Sequence, residues 1–163
     1  MMIKIFTTGG TIDKDYPAKA GTYNFEISEP TICSILERAN INFNWDITPL
    51  LKKDSLDMTE EDRQKVYDAC SIEKINKILI THGTDTMIET ARRLNSIKNK
   101  TIILVGSSKP AKFLDSDAPF NIGAAIGAIN ILDKGVYIAM NGSIFPWDNV
   151  IKNKETGKFE TIK

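Results

Sequence analysis

Two short stretches hold the residues of this chain whose types and spacing could do chemistry. Thr7-Thr8-Gly9-Gly10-Thr11 follows an apolar run, Ile3 to Thr7. Its two glycines let the backbone turn sharply and approach a ligand closely, with amide N–H groups left free to donate. Thr81-His82-Gly83-Thr84-Asp85-Thr86 follows a second apolar run and opens a helical pattern. A helix N-terminus favours anions and developing negative charge. Facing hydroxyls with one carboxylate suit a small polar ligand that carries an ammonium or an amide. A Gly-Gly pair alone is more often only a tight turn, and Thr11 can equally cap its own turn. The functional reading rests on both loops occurring at one sheet edge. Neither G-x-G-x-x-G nor G-x-x-x-x-G-K-[ST] is present, which disfavours a nucleotide.

A threonine hydroxyl is unreactive at neutral pH unless a neighbour takes its proton. The chain has one histidine, His82, which precedes a glycine and reads as a turn residue, so no Ser-His-Asp triad can be proposed. Lysine, tyrosine or aspartate remains as the base, and composition does not choose among the lysines. A His-rich metal site cannot be built, and Cys33 and Cys70 have neither metal nor redox spacing.

The elements that must position these loops follow a strand-then-helix rhythm. Ile3–Thr7 is a short, nearly continuous apolar run, as expected of a strand buried on both faces, and further strands are expected at Phe43–Leu51, Ile78–Thr81, Thr101–Val105 and Val136–Met140. Helical spacing links Ile32, Ile35, Leu36 and Ala39 behind a Ser28 N-cap with Pro30 in the first turn. Thr59-Glu60-Glu61-Asp62 is a capping pattern before Val66, Ala69 and Cys70. Two more helical stripes are Met87, Ile88, Ala91, Leu94 and Ile122, Ala125, Ile126, Ile129. Alternation of this kind predicts an α/β fold, a mainly parallel sheet with helices on both faces. Ligands of such sheets bind beyond the carboxyl ends of the strands, where both loops lie. Residues 13–27 and 148–163 lack a period. The second segment reads as a solvated tail, since the periodic core elements end near Met140.

With 163 residues, 42% hydrophobic and 26% charged, one domain that buries a substantial core is expected. Lys+Arg and Asp+Glu both number 21, so the basic excess of a nucleic-acid binder is missing. No apolar run approaches a membrane span, and the first residues show no basic leader. A cytoplasmic protein is the expectation.

Thr8-Gly9-Gly10-Thr11-Ile12 and His82-Gly83-Thr84-Asp85-Thr86-Met87 resemble the two signature motifs of the bacterial-type L-asparaginase family, which includes glutaminase-asparaginases. The likeness continues through Asp54-Ser55-Leu56-Asp57-Met58 and Val105-Gly106-Ser107 to Phe120-Asn121, and ends near Asp148 to Lys152. It implies a short form of the family, one N-terminal-type domain over residues 1–163 with a mobile flap at 13–27. The smaller C-terminal domain of full-length members has no counterpart in this sequence.

The resemblance further implies hydrolysis of L-asparagine to aspartate and ammonia, with no metal or organic cofactor. Thr11 matches the nucleophile that forms an acyl-enzyme. Tyr23 matches the flap tyrosine, with Tyr16 as the alternative. Thr84 and Asp85 match the threonine–aspartate pair, and Lys152 the distant lysine of the proton relay. Ser55 matches the serine around the substrate α-carboxylate, and Asp85 the partner of its α-ammonium. Gly10, Gly83 and Ser107 would line the same pocket, with amides near Thr84 as oxyanion donors. Leu56 stands where many members carry a polar side chain. Full-length members also complete each site with an acidic residue from a neighbouring subunit's C-terminal domain. A homo-oligomer, specifically a two-fold dimer, is therefore expected to close the pocket. Amide hydrolysis on glutamine or another small amide, and a non-catalytic amino-acid-binding domain, are the alternatives.

Overall fold

The computed structural model describes residues 1–16 and 24–162. In chain order the elements are β1 (Met2–Gly9), a 3₁₀ turn (Thr11–Asp13), β2 (Lys14–Asp15), β3 (Glu26–Ile27), α1 (Ile32–Arg38), β4 (Asn44–Lys53) and a second 3₁₀ turn (Ser55–Asp57). There follow α2 (Glu60–Ile72), β5 (Lys77–Thr81), α3 (Met87–Leu94), β6 (Thr101–Val105), α4 (Ala118–Ile129) and β7 (Gly135–Met140). The last elements are β8 (Ser143–Pro146), β9 (Ile151–Lys152) and β10 (Phe159–Glu160). Six strands form one sheet in the order β4-β1-β5-β6-β7-β8. All its pairings are parallel except β7 with β8.

Strand periodicity sorts the apolar side chains into two layers. Ile78, Ile80, Ile102, Leu104 and Ile138 share one layer with Val66 and Cys70 of α2 and Met87, Ala91 and Leu94 of α3. Ile3, Ile5, Leu79 and Ile103 share the other with Ile32, Ile35 and Leu36 of α1 and Ile122, Ala125 and Ile129 of α4. The central strands are therefore covered on both sides, which is why their sequences read as unbroken apolar runs.

The strand order also fixes where a ligand belongs. From β1 the chain crosses through α1 to β4 on one side, then through α2 to β5 on the other. Loops leaving β1 and β5 therefore diverge and leave a crevice beyond their carboxyl ends. Both chemistry-bearing loops open there.

Several local expectations need adjustment. The capping box at Thr59 forms, with Asp62 N–H donating to Thr59 Oγ1 at 3.3 Å and Thr59 N–H to Asp62 Oδ2 at 2.9 Å. Ser28 is not an N-cap. Its hydroxyl donates to the Asp13 carbonyl at 2.8 Å, and α1 starts only after Thr31. Thr31 is recruited by a buried carboxylate: its N–H and hydroxyl both donate to Asp13 Oδ1, at 2.9 and 2.8 Å. Burial pushes the Asp13 carboxyl above its usual range despite those donors. The second strand runs Asn44–Lys53 rather than Phe43–Leu51, and β8 adds an antiparallel edge.

The solvated-tail reading of residues 148–163 is corrected. Strands β9 and β10 pair as a hairpin, and Val150 and Phe159 are buried in the same layer as Phe145. Two-residue strands give too few positions for a period to appear in the sequence, so the burial left no pattern. The ends of the aperiodic segment at 13–27 pair as a ribbon, with Lys14 opposite Ile27 and Asp15 opposite Glu26, and the flap expected between them falls, over 17–23, outside the described residues.

Candidate active site

Gly9 and Gly10 end β1 with φ of 93° and 85°, the left-handed region that favours glycine. A Cβ on Gly10 would lie 2.5 Å from both Cα and N of Gly83. The glycine pair is thus more than a turn: it lets the β1 loop touch the β5 loop backbone to backbone. Thr8 Oγ1 ties the two strand ends by donating to the Thr81 carbonyl at 3.0 Å. Gly10 N–H donates to Lys53 O at 2.9 Å. Thr11 follows at the start of the 3₁₀ turn, half-buried. Among the described residues its hydroxyl has no hydrogen-bond partner.

On the other side of the crevice the β5 loop is held at nearly every residue. Ser55, buried at the end of the β4 loop, packs so closely on Gly83 that a Cβ there would meet Ser55 Oγ at 2.6 Å. Ser55 Oγ accepts from Asp85 N–H at 3.3 Å, and Ser55 O accepts from Thr86 Oγ1 at 2.7 Å. Asp54 fixes the turn that carries Ser55: its carboxylate accepts from Leu56 N–H at 3.1 Å and from Lys14 at 2.7 Å. The Lys14 ammonium holds the Asp54 carboxyl below its usual range. Leu56 itself points outward, 71% exposed.

Lys152 comes from the β9–β10 hairpin. Its Nζ donates to Thr84 Oγ1 at 2.9 Å and to Asp85 Oδ1 at 2.6 Å. The hairpin's buried Val150 and Phe159 anchor the segment that delivers this amine.

Of the residues singled out in the sequence, Gly10, Ser55, Gly83, Thr84, Asp85 and Lys152 are linked by these contacts, and Thr11 adjoins them through Gly10. Ser107 is buried at the end of β6, where its hydroxyl donates to Lys109 O at 2.5 Å within its own loop. Tyr23 lies outside the described residues. Tyr16 is exposed, its ring 4.9 Å from that of Phe25 between centroids. No group of three His, Cys, Asp or Glu side chains among the described residues could hold a metal ion.

Sequence reasoning gave no site role to four supporting residues. Asp117 accepts from Ser108 N–H and Lys109 N–H, and Asn121 Nδ2 donates to Gly106 O, so the start of α4 shapes the β6 loop. The four-residue spacing of Asp117 and Asn121 on one helix was the available signal. His82, read as a turn residue, does sit in the loop after β5, but it is wholly buried, with Nδ1 2.7 Å from Gly83 O and Nε2 2.8 Å from Thr90 Oγ1. Thr90 gave no signal at all, because it reads as one more position of α3.

The sequence matches the family model "Asparaginase, N-terminal" over residues 2–163. The glutaminase-asparaginase of Acinetobacter glutaminasificans is 31% identical over 162 residues, covering 92% of this chain and 49% of that protein. A glutamyl-tRNA(Gln) amidotransferase component from Methanococcus vannielii is 30% identical over 165 residues, covering 95% of this chain and 37% of that one. The solved thermostable L-asparaginase from Thermococcus kodakarensis superposes with a TM-score of 0.83 at 27% identity, over 99% of this chain and 51% of that one. Fold and crevice together define an α/β domain of the asparaginase N-terminal type. The chain belongs to the asparaginase family, and it spans about half the length, or less, of these relatives. Among the described residues, no helix is long and apolar enough to cross a membrane.

Proposed function

We propose that the chain hydrolyses the side-chain amide of L-asparagine, giving L-aspartate and ammonia through a Thr11 ester. The observation that carries this reading is the Lys152 amine bonded to both Thr84 Oγ1 and Asp85 Oδ1 at the β1/β5 crevice. Binding alone does not need a base beside a hydroxyl, whereas activating an alcohol does.

The substrate ammonium binds Asp85, which is half-exposed, and its α-carboxylate lies by the Ser55 turn. There the ammonium competes with Lys152 for the carboxylate and leaves the amine with Thr84. Held there, the amine is placed to relay a proton by way of Thr84. Thr11 Oγ attacks the carboxamide carbon, and its proton passes by way of Thr84 and Lys152 to the leaving nitrogen. The C–N bond breaks and ammonia departs. Water then attacks the ester, releasing aspartate and restoring the Thr11 hydroxyl. Backbone amides around Thr84 stabilise the oxyanion in both steps.

Glutamine is the second substrate to consider, because the Acinetobacter relative is named for both amides. The chain works in the cytoplasm as a homodimer in this proposal, with the partner covering the open side of the crevice. Ammonia release from asparagine, glutamine and β-aspartyl amides by the purified chain tests the reaction. Turnover of asparagine that is lost in Thr84→Val supports it, and no release from any of these amides overturns it. Light scattering over a dilution series tests the assembly, which an active monomer would refute.

A further inference from the structure

The buried His82–Thr90 pair is used by none of the steps above, yet it touches the loop on which they depend. His82 and Thr90 are both 0% exposed. Nδ1 of His82 faces the Gly83 carbonyl at 2.7 Å, and a carbonyl only accepts, so Nδ1 carries the proton. Nε2 is then an acceptor, and the Thr90 hydroxyl 2.8 Å away donates to it. The other acceptor open to Thr90, the Thr86 carbonyl, is 3.4 Å away and the weaker partner. Burial pushes the imidazole down to about 4, and the Arg63 guanidinium disfavours its cation further, so the ring stays neutral.

One peptide unit links this pair to the crevice. In a trans peptide the carbonyl of Gly83 and the N–H of Thr84 point in opposite directions. With the carbonyl tied inward to His82, the Thr84 N–H is turned away from the core. Among the described residues it has no hydrogen-bond partner. Gly10 and Ser55 pack on Gly83, and Gly106 packs on the His82 carbonyl, so the peptide has no room to flip.

We propose that His82 and Thr90 are positioning residues that lock the Gly83–Thr84 peptide with its N–H presented to the crevice as an anion donor. Its catalytic use rests on the proposed amide hydrolysis, where that donor meets the oxyanion of the attacked carboxamide. The pair acts on the transition state through geometry fixed in advance, and therefore on kcat more than on KM.

Two measurements test it. The chain has a single histidine, so the long-range ¹⁵N spectrum of its imidazole is free of overlap. The Nδ1–H tautomer is expected, unchanged from pH 7 to pH 5. An Nε2–H tautomer, or titration near the ordinary value of about 6.5, overturns the proposal. In kinetics, Thr90→Val removes the donor at constant volume and is expected to lower kcat about tenfold or more, with KM nearly constant. Thr90→Ser should restore most of the loss. His82→Asn, which keeps an N–H near Nδ1, should exceed His82→Leu. Each variant is assayed well below its own melting temperature. A folded Thr90→Val with wild-type kcat, or a Thr90→Ser no better than Thr90→Val, overturns the proposal. Failure of the hydrolysis reading is seen separately, as a wild-type chain that releases no ammonia. The imidazole spectrum, with the Thr84 amide shift expected to move in Thr90→Val, then decides the locked peptide by itself.

Discussion

The two loops that meet at the crevice are held very differently. The β5 loop is fastened on every side: His82 N–H donates to Val105 O at 2.9 Å, Ser55 braces Gly83, Asp85 and Thr86, and Lys152 crosses to Thr84 and Asp85. The β1 loop is pinned up to Gly10, and then Thr11 stands with a hydroxyl unengaged by any described residue. That difference suits a covalent route. Groups that bind and polarise gain from being fixed beforehand, since they need no reorganisation during reaction. A nucleophile must keep its lone pairs free and move by a bond length. In the proposed reaction the chain meets both needs by placing them after adjacent strands.

Substitutions can break or sharpen this contrast. The largest effect is expected of Thr11→Val, which removes the unengaged hydroxyl at nearly constant volume. Ammonia release should fall by a factor of about a thousand or more, while the melting temperature moves by no more than about 3 °C. Activity within threefold of wild type would place the attacking group elsewhere. Lys152→Met keeps the aliphatic stem and removes the amine. It should lower kcat roughly a hundredfold or more, the usual scale of general acid–base catalysis. A pH–rate profile with its alkaline and acidic limbs unchanged would argue against Lys152 as the proton carrier. Ending the chain before Val150 is a poorer test, because it also strips Val150 and Phe159 from the core and should unfold it.

Asp85→Asn removes the charge that would receive the substrate ammonium. A bond to a charged group contributes about 1.5–3 kcal/mol, so KM should rise about tenfold or more. An unchanged KM would take Asp85 out of the substrate site. Gly83→Ala drives a methyl to within 2.6 Å of Ser55 Oγ on the braced loop. Overpacking of that kind costs about 1–3 kcal/mol, which thermal melting should detect together with lost activity. The smallest effect belongs to Thr59→Ala, remote from both loops. It dissolves the capping box at a cost of about 1 kcal/mol, lowering the melting temperature by about 2–4 °C with kinetics unchanged.

What the sequence determined on its own was what neighbouring residues determine. Unbroken apolar runs gave the central strands because those strands are buried on both faces, and the Thr59 pattern gave a cap because its two partners are three residues apart. Gly9-Gly10 and His82-Gly83-Thr84-Asp85 could be placed at one sheet edge for the same reason, since each follows its strand directly. Only the tertiary structure decided what lay far apart along the chain. Lys152 reaches Thr84 across 68 residues, carried by two-residue strands too short to show a period. Ser55 meets Gly83 because α2 carries the chain over β1, and the resulting contact leaves no spacing in the sequence. His82 read as a turn residue because its burial depends on α3 closing over it, and Thr90 looked like any other helical position. Local patterns record which face of an element is buried. The partner met on that face is set by how the elements pack.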